Sequence, residues 1–340
     1  MTNNAYGVRG ASRAAHLSIS QNKELHMNEK HSPMLSVIVP LYNEEAVIRE
    51  MHRRLRSVLE SNQVDHEIIL VNDGSSDHTE ELAKEICRDH PNVKLVSFSR
   101  NFGHQLAVTA GLDSSAGQAV VIIDADLQDP PEAIITMVAK WREGYEVVYG
   151  VRSKRKGESF FKLVTAAAFY RLVRKLTRVD IPVDAGDFRL MDRKVVDQLL
   201  TMRERNRFVR GMVSWVGFRQ ARVEYVREPR FAGETKYPLR KMVRFAIDGV
   251  LSFSDVPLKI SSVFGFICAL VSFMLIIYGL VVKFLYPQFA IPGWASLFSV
   301  VLFLGGVQLM CIGILGEYLG RIYDEIKGRP LYVVKDRTNF

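Results

Sequence analysis

VVIIDADLQDPPE, residues 120–132, is the stretch on which the reading of the chain turns. An apolar run, Val120 to Ile123, drops into aspartates at alternate positions, Asp124 and Asp126; Gln128, Asp129 and a Pro-Pro pair follow. The run reads as a buried parallel strand, and period-two alternation sets both carboxylates on one side of the backbone. Ligands of open α/β sheets bind outside the carboxyl ends of the strands. Two unpaired carboxylates there raise each other's pKa unless a cation lies between them. With an amide alongside, the donors suit Mg2+ or Mn2+ bridging phosphate oxygens of a substrate. A turn-forming role for both aspartates is the competing account. Asp129, Pro130 and Glu132 carry a local signal of their own: N-cap, first helical position and capping-box partner.

Working outward, residues 34–42 (MLSVIVPLY) predict a first buried strand, and Asn43 a cap for a helix over 45–60 with Val47, Met51, Leu55 and Leu59 on one face. A second strand over 67–72 ends in Asp73-Gly74-Ser75-Ser76, and Asp77 with Glu80 predicts a capping box. Further strands are expected over 93–99, 118–123 and 145–151, with a helix over 103–114. This alternation predicts a parallel, doubly wound α/β sheet covered on both faces. The place after the first strand holds PLYNEE, so a G-x-G-x-x-G dinucleotide fingerprint is excluded, and no P-loop occurs. Phosphates must then be held by a metal or by basic groups. In DAGDFRLMD, residues 184–192, Gly186 predicts a sharp turn and 188–191 a short strand, which presents Asp187 at a strand entry; a turn-capping aspartate is the alternative. In RFAGETKY, residues 230–237, Arg230 and Lys236 are placed to clamp a phosphate or are simply solvated.

Residues 260–282 and 294–316 are apolar runs of roughly 23 residues without Asp, Glu, Lys or Arg, against the ~20 that cross a bilayer as a helix. Lys236, Arg240, Lys241, Arg244 and Lys259 precede the first; Arg321, Lys327 and Arg329 follow the second; only Lys283 lies between. The positive-inside rule then predicts both termini in the cytoplasm. Residues 159–179 and 238–253 mix aliphatic and aromatic positions with Lys and Arg, as in-plane membrane helices do, although the first also fits a basic helix packed on the sheet. The net charge of +8 is thereby a membrane signal, and no aromatic-interleaved nucleic-acid-binding pattern occurs. Cys87, Cys268 and Cys311 suggest neither a disulfide framework nor a zinc site. The expected divisions are a polar tail (1–33), a catalytic domain (34–237), a juxtamembrane helix (238–258), two spans (259–316) and a cytoplasmic C-terminal segment (317–340).

VPLYNEE (39–45), VNDGSSD (71–77), DADLQDPPE (124–132), GDFRLM (186–191), SWVG (214–217), AGETKY (232–237) and GEYLGRIYDE (316–325) together resemble the family 2 glycosyltransferases of the polyprenyl-phosphate type. That group includes dolichol-phosphate mannose synthases and bactoprenol glucosyltransferases. The resemblance implies a GT-A fold. It implies that Pro40, Tyr42, Glu44 and Asp73 line the nucleotide pocket, and that Asp124, Asp126 and Gln128 hold the metal on the diphosphate. Arg152 would contact phosphate, Asp187 would sit at the reacting centre, and Arg230 with Lys236 would belong to a closing loop. Thr235 stands where the family usually has Ser. The implied partners are a nucleotide sugar, UDP-glucose first, a polyprenyl (undecaprenyl) phosphate, the membrane and other copies of the chain in a homotetramer.

A lipid phosphate is largely deprotonated near neutral pH. Such a nucleophile hardly needs a base, so Asp187 can equally orient the acceptor or stabilise an oxocarbenium-like centre. Single displacement would invert the anomeric configuration. A glycolipid synthase with a hydroxyl acceptor and a non-catalytic sugar-nucleotide-binding membrane protein are the rival readings.

Overall fold

The structure is a computed structural model, and it describes residues 33–152, 185–227, 256–285 and 293–340. Its centre is β1 (Leu35–Leu41), buried along its whole length, flanked in parallel by β2 (His66–Asn72) and β4 (Ala119–Ile122). Alternate residues of these strands feed two cores. Val37, Val39, Ile68 and Leu70 face one side, where Met51, Leu55 and Leu59 of α1 (Ile48–Ser61), Ile86 of α2 (Thr79–Asp89) and Met137 of α4 (Ala133–Arg142) cover them. Ile38, Ile69 and Val71 face the other, under Val108 and Leu112 of α3 (His104–Ser114), Leu199 of α5 (Arg193–Thr201) and Met212 of α6 (Val209–Trp215). Each large aliphatic side chain so buried contributes on the order of 1.5–3 kcal/mol.

The sheet has eight strands in the order β7-β5-β6-β4-β1-β2-β3-β8, where β3 is Val93–Phe98, β5 Val147–Arg152, β6 Ala185–Asp192, β7 Gln220–Tyr225 and β8 Val334–Thr338. It is mixed, not parallel as the alternation predicts. Strand β6 runs antiparallel to both β4 and β5. The reason is the place of re-entry: Ala185 pairs with Val151, so the chain returns at the edge where β5 left and must run back down the sheet. Gly186 accordingly lies inside a strand and makes no turn. At the far edge β8 pairs antiparallel with β3, Val334 opposite Phe98, and so starts at the carboxyl edge of the parallel strands. Tyr332 stacks on Phe98 with centroids 5.0 Å apart and donates to Asp113 at 2.6 Å. An edge that would otherwise invite foreign strands is thereby covered. The expected boundary at 237 thus separates the sheet from one of its own strands.

Local capping signals fare less well. Helix α1 starts at Ile48 with no side-chain cap; Asn43 takes a left-handed φ of 53° and bonds Ser75 and Ser76. Glu80 does not reach back to close a capping box but meets Lys84 and Lys335. Helix α4 starts at Ala133 without a side-chain cap, while Glu132 pairs with Arg54 at 2.8 Å and Asp129 turns inward. At Asn43 and Asp129 a tertiary partner outcompetes the helix end, while Asp77 does accept from the Thr79 N–H at 3.1 Å at the start of α2.

Helices α7 (Val256–Leu285) and α8 (Trp294–Ile326) pack on each other and expose Phe266, Phe273, Met274, Leu309 and Leu319. Among the described residues one stretch, Phe303–Ile326, is long and apolar enough to cross a membrane. Helix α8 also runs ten residues past Gly316, where the sequence expectation ends the span. The basic stretches 159–179 and 238–253 lie outside the described residues.

At the opposite, amino edge of the sheet, Glu67 is buried and accepts from Ser36 Oγ at 2.5 Å, Lys94 Nζ at 2.6 Å and the Ala116 N–H at 2.7 Å. Burial alone would raise its pKa, but these donors outweigh it and hold the carboxyl below its ordinary value. A depressed carboxyl stabilises the fold above its unfolded pKa, and that share is lost as pH falls through the folded value. Glu67→Leu leaves Lys94 without its partner, so it should cost about 3 kcal/mol in urea unfolding near neutral pH. The gap between mutant and wild type should narrow as the pH is lowered below about 4.5.

Candidate active site

Strand β4 ends at Ile122 and delivers Asp124 and Asp126 just beyond the carboxyl edge of the sheet. Because β6 is antiparallel, its first residues lie at that same edge. The register Ile122↔Arg189, continued by two residues, sets Asp187 opposite Asp124. The two carboxylates, 63 residues apart in sequence, therefore face one cleft.

Each has a cation. Arg210, on the first turn of α6, grips Asp187 with both arms of its guanidinium, Nε donating to Oδ1 at 2.7 Å and Nη2 to Oδ2 at 3.0 Å. His104, the first residue of α3, lies between the acids, with Nε2 3.4 Å from Asp187 Oδ2 and 3.7 Å from Asp124 Oδ1. Burial raises the pKa of Asp187, but Arg210 and His104 outweigh it and hold the carboxyl well below its ordinary value. Burial opposes charge on His104, yet Asp124 and Asp187 lift it to about 9. Asp124 is pushed up to about 6, first by burial and then by Asp187, Asp129 and Asp126, with His104 acting the other way. Its side chain is 40% exposed, yet it stands in a recess surrounded by these groups.

The cleft walls are interlocked loops. Asp73 is buried; its oxygens accept from the N–H groups of Phe102 and Gly103 at 2.6 and 2.9 Å and from Asn101 Nδ2 at 3.0 Å. Gly74 (φ +64°) lets that loop approach so closely that a Cβ would stand 2.3 Å from the Arg100 carbonyl carbon. Gly103, at φ +106°, turns the chain into α3 and so aims His104. Gln105 Oε1 accepts from the Val209 N–H at 3.0 Å, fixing the start of α6 and with it Arg210. Opposite, Tyr225 donates to Asp129, with Arg152 beside both, and Arg227 donates to Gln128 Oε1. Leu127, at φ +58°, makes the turn that separates Asp126 from Gln128.

Among the described residues there is no group of three His, Cys, Asp or Glu able to hold a metal. Asp124 and Asp126 still fit a hard dication. Burial first, and then the acids around it, keep Asp124 high, and Mg2+ characteristically takes one or two carboxylates and completes its shell with water and substrate phosphate. Gln128 fits less well, since its amide oxygen is engaged by Arg227.

The other expected residues divide. Tyr42 is exposed just past β1, and Glu44 lies beside the Asp73 loop, its N–H bonded to Thr79 Oγ1 at 2.8 Å. Pro40 is buried within β1, and the Asp73 carboxylate is engaged by the N–H groups of Phe102 and Gly103 and by the Asn101 amide, so it acts through the 101–103 loop it holds. Arg152 is at the site, its Nη2 near Gly186. Arg230 and Lys236 lie outside the described residues. Sequence reasoning missed His104, Arg210, Tyr225 and Arg227. The one available signal was Gly103-His104 opening a helix at the ligand-binding edge.

The model of glycosyl transferase family 2 matches residues 36–200, and that of the GtrB C-terminal hairpin matches residues 256–322. The chain is 54% identical over 300 residues to the uncharacterized glycosyltransferase YkcC of Bacillus subtilis (strain 168), covering 88% of this chain and 93% of that one. It is 42% identical over 303 residues to the prophage bactoprenol glucosyl transferase homolog of Escherichia coli (strain K12), covering 88% and 98%. To the bactoprenol glucosyl transferase of Shigella phage SfII it is likewise 42% identical, covering 88% and 97%. Likeness of this extent, with a mixed α/β sheet of the GT-A kind and its acids at the carboxyl edge, makes the chain a member of glycosyl transferase family 2.

Proposed function

We propose that this glycosyltransferase moves one hexose, glucose from UDP-glucose in the first instance, onto undecaprenyl or another polyprenyl phosphate at the cytoplasmic face of a membrane, with inversion. The observation that carries the reading is Asp187 held ionised by Arg210 and His104 opposite Asp124. A carboxylate so held is a poor general base, as a hydroxyl acceptor would require, whereas a phosphate acceptor arrives already deprotonated. Two relatives carry bactoprenol glucosyl transferase names, which favours the same acceptor class.

The residues divide the work. Asp124 and Asp126 would hold Mg2+ or Mn2+, which supplies Lewis-acid stabilisation of the departing nucleoside diphosphate. Tyr42 and Glu44 border the nucleotide, with Pro40 and Asp73 shaping the loops behind it. Arg152 would stand beside the diphosphate; Arg230 and Lys236, to which the family resemblance gives phosphate contacts, lie outside the described residues. Asp187 orients the acceptor and faces the positive charge that grows at the anomeric carbon. Gln128 steadies Arg227. Helices α7 and α8 form two spans, with the sheet and both termini on the cytoplasmic side. The start of β8 at the carboxyl edge keeps the end of α8 on the side of the sheet that holds Asp124, which suits an acceptor arriving from the bilayer.

Detergent-solubilised protein given labelled UDP-glucose should label undecaprenyl phosphate and leave undecaprenol unlabelled; turnover of the free alcohol rejects the phosphate acceptor. EDTA should abolish transfer, and Mn2+ or Mg2+ should restore it.

Asp187→Asn should lower kcat on the order of 100-fold while the Kd for UDP-glucose stays within about threefold. Weakened donor binding with unchanged kcat would remove Asp187 from the reacting centre.

A further inference from the structure

Four side chains form a row of alternating charge across the cleft: Arg210, Asp187, His104, Asp124. Three have been given work in donor or acceptor handling or in holding a partner. His104 so far only helps Arg210 to hold Asp187 ionised, yet its Nε2 is buried, stands 3.4 and 3.7 Å from the two acids and faces Asp124 as well. Its placement is built from several directions. The Asp73 carboxylate grips the N–H groups of Phe102 and Gly103, Gly103 makes the left-handed step into α3, and the neighbouring Gln105 ties α3 to the start of α6. A cation at the first position of a helix opposes the helix dipole, so this residue is held where its own helix disfavours it. The compensation is the pair of acids.

We propose that His104 is a positioning residue that couples the donor-side acid Asp124 to the acceptor-side acid Asp187. Its N–H edge keeps the two carboxylates from repelling each other apart and fixes their separation, and hence the distance between the departing diphosphate and the incoming phosphate. The inference rests on the transfer reaction proposed above. It carries a consequence that a merely structural residue would not have. A positive group beside Asp124 competes with a dication there, so removing it should strengthen metal binding while weakening turnover.

The test measures Mn2+ binding to the full-length protein by electron paramagnetic resonance, without nucleotide sugar, alongside kcat and KM for UDP-glucose with undecaprenyl phosphate. In His104→Gln, Mn2+ should bind at least about threefold more tightly, since one unit charge is removed from beside the site. Its kcat should fall about tenfold or more with the KM for UDP-glucose little changed. His104→Lys, which restores a cation, should return Mn2+ affinity to within about twofold of wild type. His104→Asn is run beside them with thermal unfolding, so that a folding defect in one variant leaves the other to decide. Weaker Mn2+ binding in both neutral variants, unchanged kcat in them, or a Lys variant that binds Mn2+ as they do overturns the proposal. Wild-type protein that binds no Mn2+ overturns the metal reading of Asp124 and Asp126 and this inference with it. Wild-type binding with loss in the neutral variants overturns this inference alone.

Discussion

Carboxylates can be crowded at a sheet edge only if cations are crowded there too. Asp124, Asp126, Asp129 and Asp187 converge on one cleft, and burying any of them without compensation would cost several kcal/mol. Much of the fold around the cleft delivers compensation: α3 brings His104, α6 brings Arg210, β5 brings Arg152 and the end of β7 brings Tyr225 and Arg227. None of these elements is a neighbour in sequence of the acid it serves. Loop 101–103 exists in its observed form because Asp73 takes up its N–H groups, and α6 starts where Gln105 accepts from it.

The same edge organises the C-terminal part. Strand β8 runs against β3, so the chain must leave α8 on the carboxyl side of the sheet. Two further contacts hold it there: the Arg205 N–H donates to Glu325 at 2.7 Å, and the Arg205 guanidinium meets the Arg329 carbonyl. Asn339 then bonds the carbonyls of Cys87 and Val93, tying the last residues to α2 and β3. The apolar helix is thus anchored to the sheet through a short, well-bonded connection and not through a free linker.

The strands were legible because burial on both faces leaves a continuous apolar run, as in LSVIVPL and in 120–123. The acids at 124 and 126 were legible because a strand end is where alternation meets the sheet edge. Strand direction was not. The residues of β6 read the same in either sense, and what reverses the strand is the pairing of Ala185 with Val151. Helix caps misled for a related reason. Asn43 and Asp129 have the capping chemistry expected of them, but Ser75, Ser76 and Tyr225 offer tertiary bonds that a local pattern does not contain. His104 and Arg210 escaped notice because a charged residue near a helix start is ordinary, and only topology brings these two to Asp187.

That topology also decides which chemistry the cleft favours. Ionised Asp187 alone would repel an acceptor phosphate. Gripped by Arg210 on one side and faced by His104 on the other, it presents little net charge to an incoming anion. The two cations depress its proton affinity, which is the wrong direction for a residue that must take a proton from an alcohol. In the proposed transfer, what is left to it is the part of a fixed negative oxygen, pre-organised before substrate arrives and stiffened by a bidentate pair. A base would need its counterion removed; a positioning and electrostatic group needs it kept.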